Sequence, residues 1–130
     1  MPRLMSVTLT ERAVVERRKT VTRRVGWSFL KAGDRLTLCR KVQGRWRKDG
    51  TVEPLVRLAD VEVVSVRREP LDAISQSDVV REGFPDWDPV QFVMFFCAEM
   101  KCRRDVEVTR IQWRYLDEDR ARGPQLEVSP

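Results

Sequence analysis

Lys19 and Thr22 stand three residues apart inside the run Arg17-Arg18-Lys19-Thr20-Val21-Thr22-Arg23-Arg24, in which five cations surround two hydroxyls. A lysine that gives up its proton can act as a base toward a hydroxyl. The neighbouring arginines favour that loss, because they disfavour a further positive charge. The chain contains no histidine, so proton transfer falls to Lys, Thr, Ser, Cys or carboxylates. Read without bond chemistry, the same run is an anion site, since guanidinium groups match phosphate geometry. The residues alone leave both readings open, beside a third in which the run is simply a basic strand.

Placing such a run requires elements on either side of it. Thr10 is a candidate N-cap, and Glu11 to Arg18 reads as a short helix with Glu11 in its first turn and the basic cluster at its end. Thr20 to Val25 is β-branched or arginine and reads as extended, closed by Gly26. Lys31-Ala32-Gly33-Asp34 has the composition of a tight turn. Arg35 to Val42 then alternates, with Leu36, Leu38 and Val42 on one face and Thr37, Cys39 and Lys41 on the other, as in a half-buried strand. Gln43 to Pro54 reads as a long loop or frayed hairpin turning at Asp49-Gly50.

Leu55 to Arg68 is a valine-rich strand whose apolar phase slips between Val63 and Val64, which predicts a bulge or strong bend. Ser75 with Asp78 starts a short helix stopped at Gly83. Asp88-Pro89-Val90-Gln91 opens a longer one to about Met100, with Val93, Phe96, Cys97 and Met100 as its core stripe. Glu107 to Leu116 alternates again, with Thr109, Ile111, Trp113 and Tyr115 facing one way. Asp117 to Pro130 turns acidic and rich in arginine, glycine and proline, and reads as a flexible tail after a domain spanning 1–116. Helix, extended segment, strands, two helices and a strand make an α+β arrangement around a curved or closed sheet.

Composition narrows the classes. With 42% hydrophobic and 35% charged residues, the chain reads as a folded domain with an ionic surface. Its 25 Lys plus Arg against 20 Asp plus Glu give a net charge of +5, which favours anionic partners. No apolar run is long enough to cross a bilayer, and no secretory leader pattern opens the sequence, so the expectation is a cytoplasmic protein with no membrane partner. Cys39, Cys97 and Cys102 match no zinc or paired-thiol spacing. Reduced, mostly buried thiols and no structural metal or cofactor are expected.

The order Lys19-Thr20-Val21-Thr22-Arg23-Arg24, Trp27, Lys31-Ala32-Gly33-Asp34, a valine-rich strand and Val80-Arg81-Glu82-Gly83-Phe84 resembles the ASCH family of the PUA-like superfamily, found in bacteria and their viruses. The resemblance covers roughly Ser6 to Leu116. It implies a small PUA-like β-barrel with flanking helices and a cleft between the basic segment and the region carrying Glu82. Members of the family are linked to RNA binding; some are ribonucleases, and some are amidohydrolases that deacetylate acetylated cytidine. By motif position, the amidohydrolase set would fall on Lys19, Thr22 and Glu82, with Arg24 at a further basic position. In that case Thr22 attacks the amide carbonyl, Lys19 takes its proton, and Glu82 orients the lysine or carries a proton to the leaving amine. The Gln43 to Pro54 loop and the extra arginines at Arg17, Arg18 and Arg23 depart from the smallest enzymes.

Two leading functions follow. One is a basic cleft that binds RNA or a modified nucleotide, with Arg24, Lys19, Arg45 and Arg47 toward phosphates and Trp27 or Trp46 stacking on a base. For Trp27 and Trp46 the alternative is packing within or over the barrel. The other is a small, metal-independent amidohydrolase using Lys19, Thr22 and Glu82, where Glu82 otherwise serves as an ion-pair partner for the arginines. A ribonuclease ranks below both, because without histidine its acid and base would be unconventional. An interaction role with another protein ranks fourth.

Overall fold

Most of the sheet is built on β5 (Glu107–Tyr115), which pairs antiparallel with a strand on each side. A computed structural model describes residues 2–40, 49–50 and 55–116. Around β5 are arranged β1 (Arg3–Ser6), α1 (Glu11–Val15), β2 (Val21–Arg24), β3 (Arg35–Cys39), β4 (Arg57–Pro70), α2 (Gln76–Arg81) and α3 (Pro89–Met100), with 3-10 turns at Thr8–Thr10 and Leu71–Ala73. The sheet order is β1-β3-β4-β5-β2; β1 runs parallel to β3, and the other pairs are antiparallel.

The sheet curls into a half-barrel because its long strand is bent. The β4/β5 register shifts between Val63 and Ser65, as the slipped apolar phase predicts. Val63 is buried while Val64 is turned out to 46% exposure. A second shift between Leu38 and Cys39 bends β3 against β4. The curl stops short of closure: β1 and β2 are edge strands, joined by a side chain instead of a ladder. Arg24, at the end of β2, donates from its guanidinium to the main-chain carbonyl of Ser6, at the end of β1. The fold is thus a small α+β unit built on a curled five-stranded sheet.

Two apolar cores lie against this sheet. One gathers Met5, Val14, Leu36, Leu38, Val61, Val63, Ile111, Trp113 and Tyr115. The other packs α2 and α3 on the sheet through Leu71, Ile74, Val79, Phe92, Val93, Phe96 and Val108. β5 serves both: Ile111, Trp113 and Tyr115 enter the first, while Val108 on its opposite face enters the second. A strand covered on both faces can hold a charged residue only if partners reach it there.

Several expectations are corrected. β1 was not anticipated. The first helix ends at Val15, because Arg17 takes a left-handed conformation with φ 64°. The N–H of Arg18 then reaches back to the Ala13 carbonyl at 2.8 Å, a helix-ending reversal that glycine usually makes. Arg17 compensates in part by donating to the Val14 carbonyl at 2.9 Å and lying 5.0 Å from the Tyr115 ring centre. Thr10 occupies the N-cap position but its side chain makes no capping bond. β3 is buried on both faces, Thr37 and Cys39 included. In α3 the buried set is Phe92, Val93 and Phe96, while Met100 is about half exposed. Lys41 and Val42, most of the 43–54 loop, and the 117–130 tail lie outside the described residues.

Local signals fared better. Asp88 and Gln91 form a reciprocal capping box with Pro89 at the first helical position, and Ser75 caps α2 by accepting from the Asp78 N–H. Lys31 to Asp34 turns on Gly33 at φ 95°. Gly83 ends α2 at φ 109°, and a β-carbon there would lie 3.0 Å from that of Ala13. Gly83→Ala should therefore destabilise the fold by about 1–3 kcal/mol. In urea denaturation this appears as a lower midpoint at unchanged slope; an unchanged midpoint would contradict it.

Candidate functional site

Lys19 is fixed through its main chain before its side chain does anything. Its carbonyl accepts from Trp113 Nε1 at 3.0 Å and from the Tyr115 hydroxyl. Its N–H donates to the Ala13 carbonyl at 3.2 Å, and the next N–H, of Thr20, donates to the Arg81 carbonyl at 2.9 Å. The junction between α1 and β2 is thereby tied to β5 and to the end of α2. With the backbone held, Lys19 Nζ reaches both Glu82 Oε1 and the Glu82 carbonyl at 2.8 Å. The pair is buried, with side chains 3% and 4% exposed. Burial pushes the Lys19 pKa below the ordinary lysine range, and Arg24 and Arg23 add to the effect, against the opposing pull of Glu82.

Strand alternation places Thr22 and Arg24 on one face of β2 and Arg23 on the other. Thr22 is buried, and its hydroxyl makes no hydrogen bond with any described residue. Arg24 is largely buried, which lowers its pKa. Arg23 is no mere part of the electrostatic surroundings. It lies directly opposite Arg110 in the β2/β5 ladder, and Arg110 lies opposite Arg67 in the β4/β5 ladder. Like charges facing each other across strands destabilise a sheet. The row is compensated by carboxylates set between its members.

Asp78 Oδ2 accepts from Arg23 and from Arg110 Nε, each at 2.6 Å, and Asp78 Oδ1 accepts from Arg110 at 3.0 Å. Glu69 bridges Arg23 at 2.7 Å and Arg67 at 2.7 Å. Glu82 Oε2 accepts from Arg23 at 3.4 Å, which joins this row to Lys19. Burial works to raise the Asp78 pKa, but the bonds from Arg110 and Arg23 outweigh it and hold the carboxyl far below its usual range. Arg23 Nε is buried without a hydrogen-bond partner among the described residues.

These residues open onto a pocket at the seam between β1 and β2, enclosing about 210 Å³. Lys19, Thr22, Arg23, Arg24 and Glu82 form its polar side. Its apolar side is Phe84, Phe92, Phe95 and Phe96, and the 8–10 turn, Glu99 and Met100 also border it. Behind that wall Phe84 stacks on Trp87 at 4.3 Å with planes 7° apart, and Phe95 meets Trp87 edge-on at 5.1 Å. The volume lies below the roughly 300–1,000 Å³ of drug-sized sites. It suits one small planar group in preference to a helix of nucleic acid.

Of the residues singled out in the sequence, the structure brings Lys19, Thr22, Arg24 and Glu82 together. Trp27 does not line the pocket; it takes a left-handed conformation at φ 66° and packs against the first core, 5.5 Å from Phe29. Arg45, Trp46 and Arg47 lie outside the described residues. Sequence reasoning missed the phenylalanine wall. Its signal was the Glu82-Gly83-Phe84 triplet together with the 92, 95 and 96 spacing on α3, which puts aromatic rings on neighbouring helical positions. It also missed Asp78 and Arg110, for which charged residues in a helix start and an alternating strand gave no hint of burial. No group of three or more His, Cys, Asp or Glu among the described residues could hold a metal ion. No described helix is long and apolar enough to cross a membrane.

No protein-family model and no curated protein matches the chain. Solved structures do. Protein EF3133 from Enterococcus faecalis V583 aligns with TM-score 0.61 at 19% identity, over 89% of this chain and 80% of that one. An ASCH domain from Lactobacillus crispatus gives TM-score 0.57 at 13% identity, over 87% and 79%. ASCH from Zymomonas mobilis gives 0.53 at 15%, over 98% and 80%. The chain therefore has an ASCH-type fold.

Asp78→Asn should cost about 3–5 kcal/mol, since it leaves the paired arginines short of a negative charge in a buried layer. The pH dependence has a definite sign. A carboxyl whose folded pKa is depressed stabilises fully above its unfolded pKa and loses that contribution as pH falls toward the folded value. The stability gap between wild type and variant, followed by urea denaturation, should be constant above about pH 5 and shrink below about pH 4. A gap independent of pH throughout would exclude a charged Asp78 as its source.

Proposed function

We propose that the chain binds RNA or a modified nucleotide, taking one base into the seam pocket while Arg24 at its edge and arginines outside it meet the phosphates. The observation that carries this reading is the composition of the two walls. A buried Lys19–Glu82 pair, the Thr22 hydroxyl and Arg24 face four phenylalanines across a space of about 210 Å³. An aromatic wall offers a stacking surface to any base, and the polar wall offers donors and acceptors to its edge. The net charge of +5 supplies attraction for a polyanion. In this pocket Phe84 and Phe95 take the stacking role; of the two tryptophans suggested for it, Trp27 packs against the first core and Trp46 lies outside the described residues.

A second reading has an observation of its own. Among the described residues the Thr22 hydroxyl has no hydrogen-bond partner; it lines the same pocket as Lys19, whose pKa burial lowers and whose Nζ bonds Glu82 at 2.8 Å. That set fits an amidohydrolase acting on an acetylated cytidine-type nucleoside. Thr22 Oγ1 would add to the acyl carbonyl as its proton passes to Lys19 in its neutral form, the protonated lysine or Glu82 would return a proton to the leaving amine, and water would then hydrolyse the acyl-threonine to release acetate and free Thr22.

One experiment separates the two. Short single-stranded RNA is titrated into wild type, Arg24→Gln and Thr22→Ala at two salt concentrations, and acetylated cytidine is incubated with the same proteins while acetate release is followed. The binding reading expects salt-sensitive RNA affinity, weakened about tenfold by Arg24→Gln, with the nucleoside recovered intact. Turnover by wild type that Thr22→Ala abolishes would establish the hydrolase instead. Absence of both binding and turnover at millimolar ligand would overturn both.

A further inference from the structure

Helix α3 ends on a left-handed residue. Lys101 has φ 53° and ψ 53°, and its N–H donates to the Cys97 carbonyl. The following N–H, of Cys102, reaches the same carbonyl at 3.3 Å. A left-handed residue in this position folds the chain back over the helix end, laying the residue after it against the one five positions before. Here both are cysteines. Their side chains independently share one cavity of about 570 Å³, with Asp72, Val93, Met94 and Arg104 also on its wall. Both are half-buried and unbridged, whereas Cys39 is wholly buried, 3.5 Å from the Met5 carbonyl.

We propose that Cys97 and Cys102 form a reversible dithiol/disulfide pair whose oxidant is a small-molecule disulfide of the glutathione class. The thiolate of Cys102 attacks one sulfur of the external disulfide, breaking its S–S bond and releasing one small thiol. Cys97 then loses its proton to solvent and attacks the Cys102 sulfur of the mixed disulfide, so that the internal bond forms and the second small thiol leaves. Two protein thiols are oxidised, and one external disulfide is reduced to two thiols. Cys97 suits the second step. Burial and the neighbouring Cys102 hold its pKa above the ordinary thiol range, which slows attack on an external disulfide, while proximity favours the internal attack. The bond ties down the turn that follows Glu99 and Met100, two residues bordering the seam pocket.

The test uses the folded chain with excess glutathione disulfide, followed by intact mass measurement and a count of free thiols after denaturation. Of the three thiols, two should disappear with the loss of two hydrogens and no retained glutathione. Peptide mapping should join Cys97 to Cys102, and dithiothreitol should restore all three. Cys97→Ser and Cys102→Ser should each form no internal bond. Two retained glutathiones on wild type, three unreacted thiols, a bridge to Cys39 or failure to recover on reduction would each overturn the proposal. None of these results depends on what the seam pocket binds.

Discussion

Everything near the site depends on one carboxylate being held between two arginines. Arg23 and Arg110 are forced opposite each other by the β2/β5 register, on a face of the sheet covered by helices. Left to themselves they would repel in a medium that screens poorly. Asp78 resolves the conflict because α2 starts where its carboxylate points into the sheet. The same residue supplies the N–H that Ser75 caps, so the start of a helix and the neutralisation of a strand pair share one position. The arrangement fixes α2 on the sheet with directional bonds that an apolar contact would lack. It thereby fixes Glu82 at the end of that helix.

From that anchor the pocket follows with little freedom. Glu82 can meet Lys19 because the Lys19 carbonyl is clamped by Trp113 and Tyr115 from β5, the strand that also carries Arg110. Two separate routes from β5, one through aromatic donors and one through the Asp78 layer, converge on a single buried ion pair. Such pairs are weak contributors to stability once desolvation is counted, and their better-attested use is to specify geometry. Here the geometry specified is the polar wall of the seam.

Legibility in the sequence tracked the range of the interaction. The Asp88 to Gln91 start of α3 and the Gly33 turn were visible because each is complete within four residues. The bulge at Val64 was visible because a slip of one residue in a strand exchanges its faces. The grouping of Lys19, Thr22, Arg24 and Glu82 came from a family resemblance, and no spacing rule joins positions about sixty residues apart. β1 was hidden because a four-residue strand gains its identity only by pairing with β3. The burial of Arg23 and Arg110 was not legible because nothing local marks an arginine as buried. The aromatic wall was missed for a related reason: Phe84 follows α2 and Phe95 lies in α3, and only packing brings them together.

The Arg24 contact with the Ser6 carbonyl leaves the half-barrel with two strand edges that approach each other without exchanging main-chain bonds. An uncovered edge is normally an invitation to a foreign strand. In this chain the flank of β2 carries two consecutive arginines, and one of them already occupies a carbonyl at the end of β1. The seam is thus inhospitable to strand addition. The same gap that opens the seam pocket disfavours extension of the sheet into a second copy.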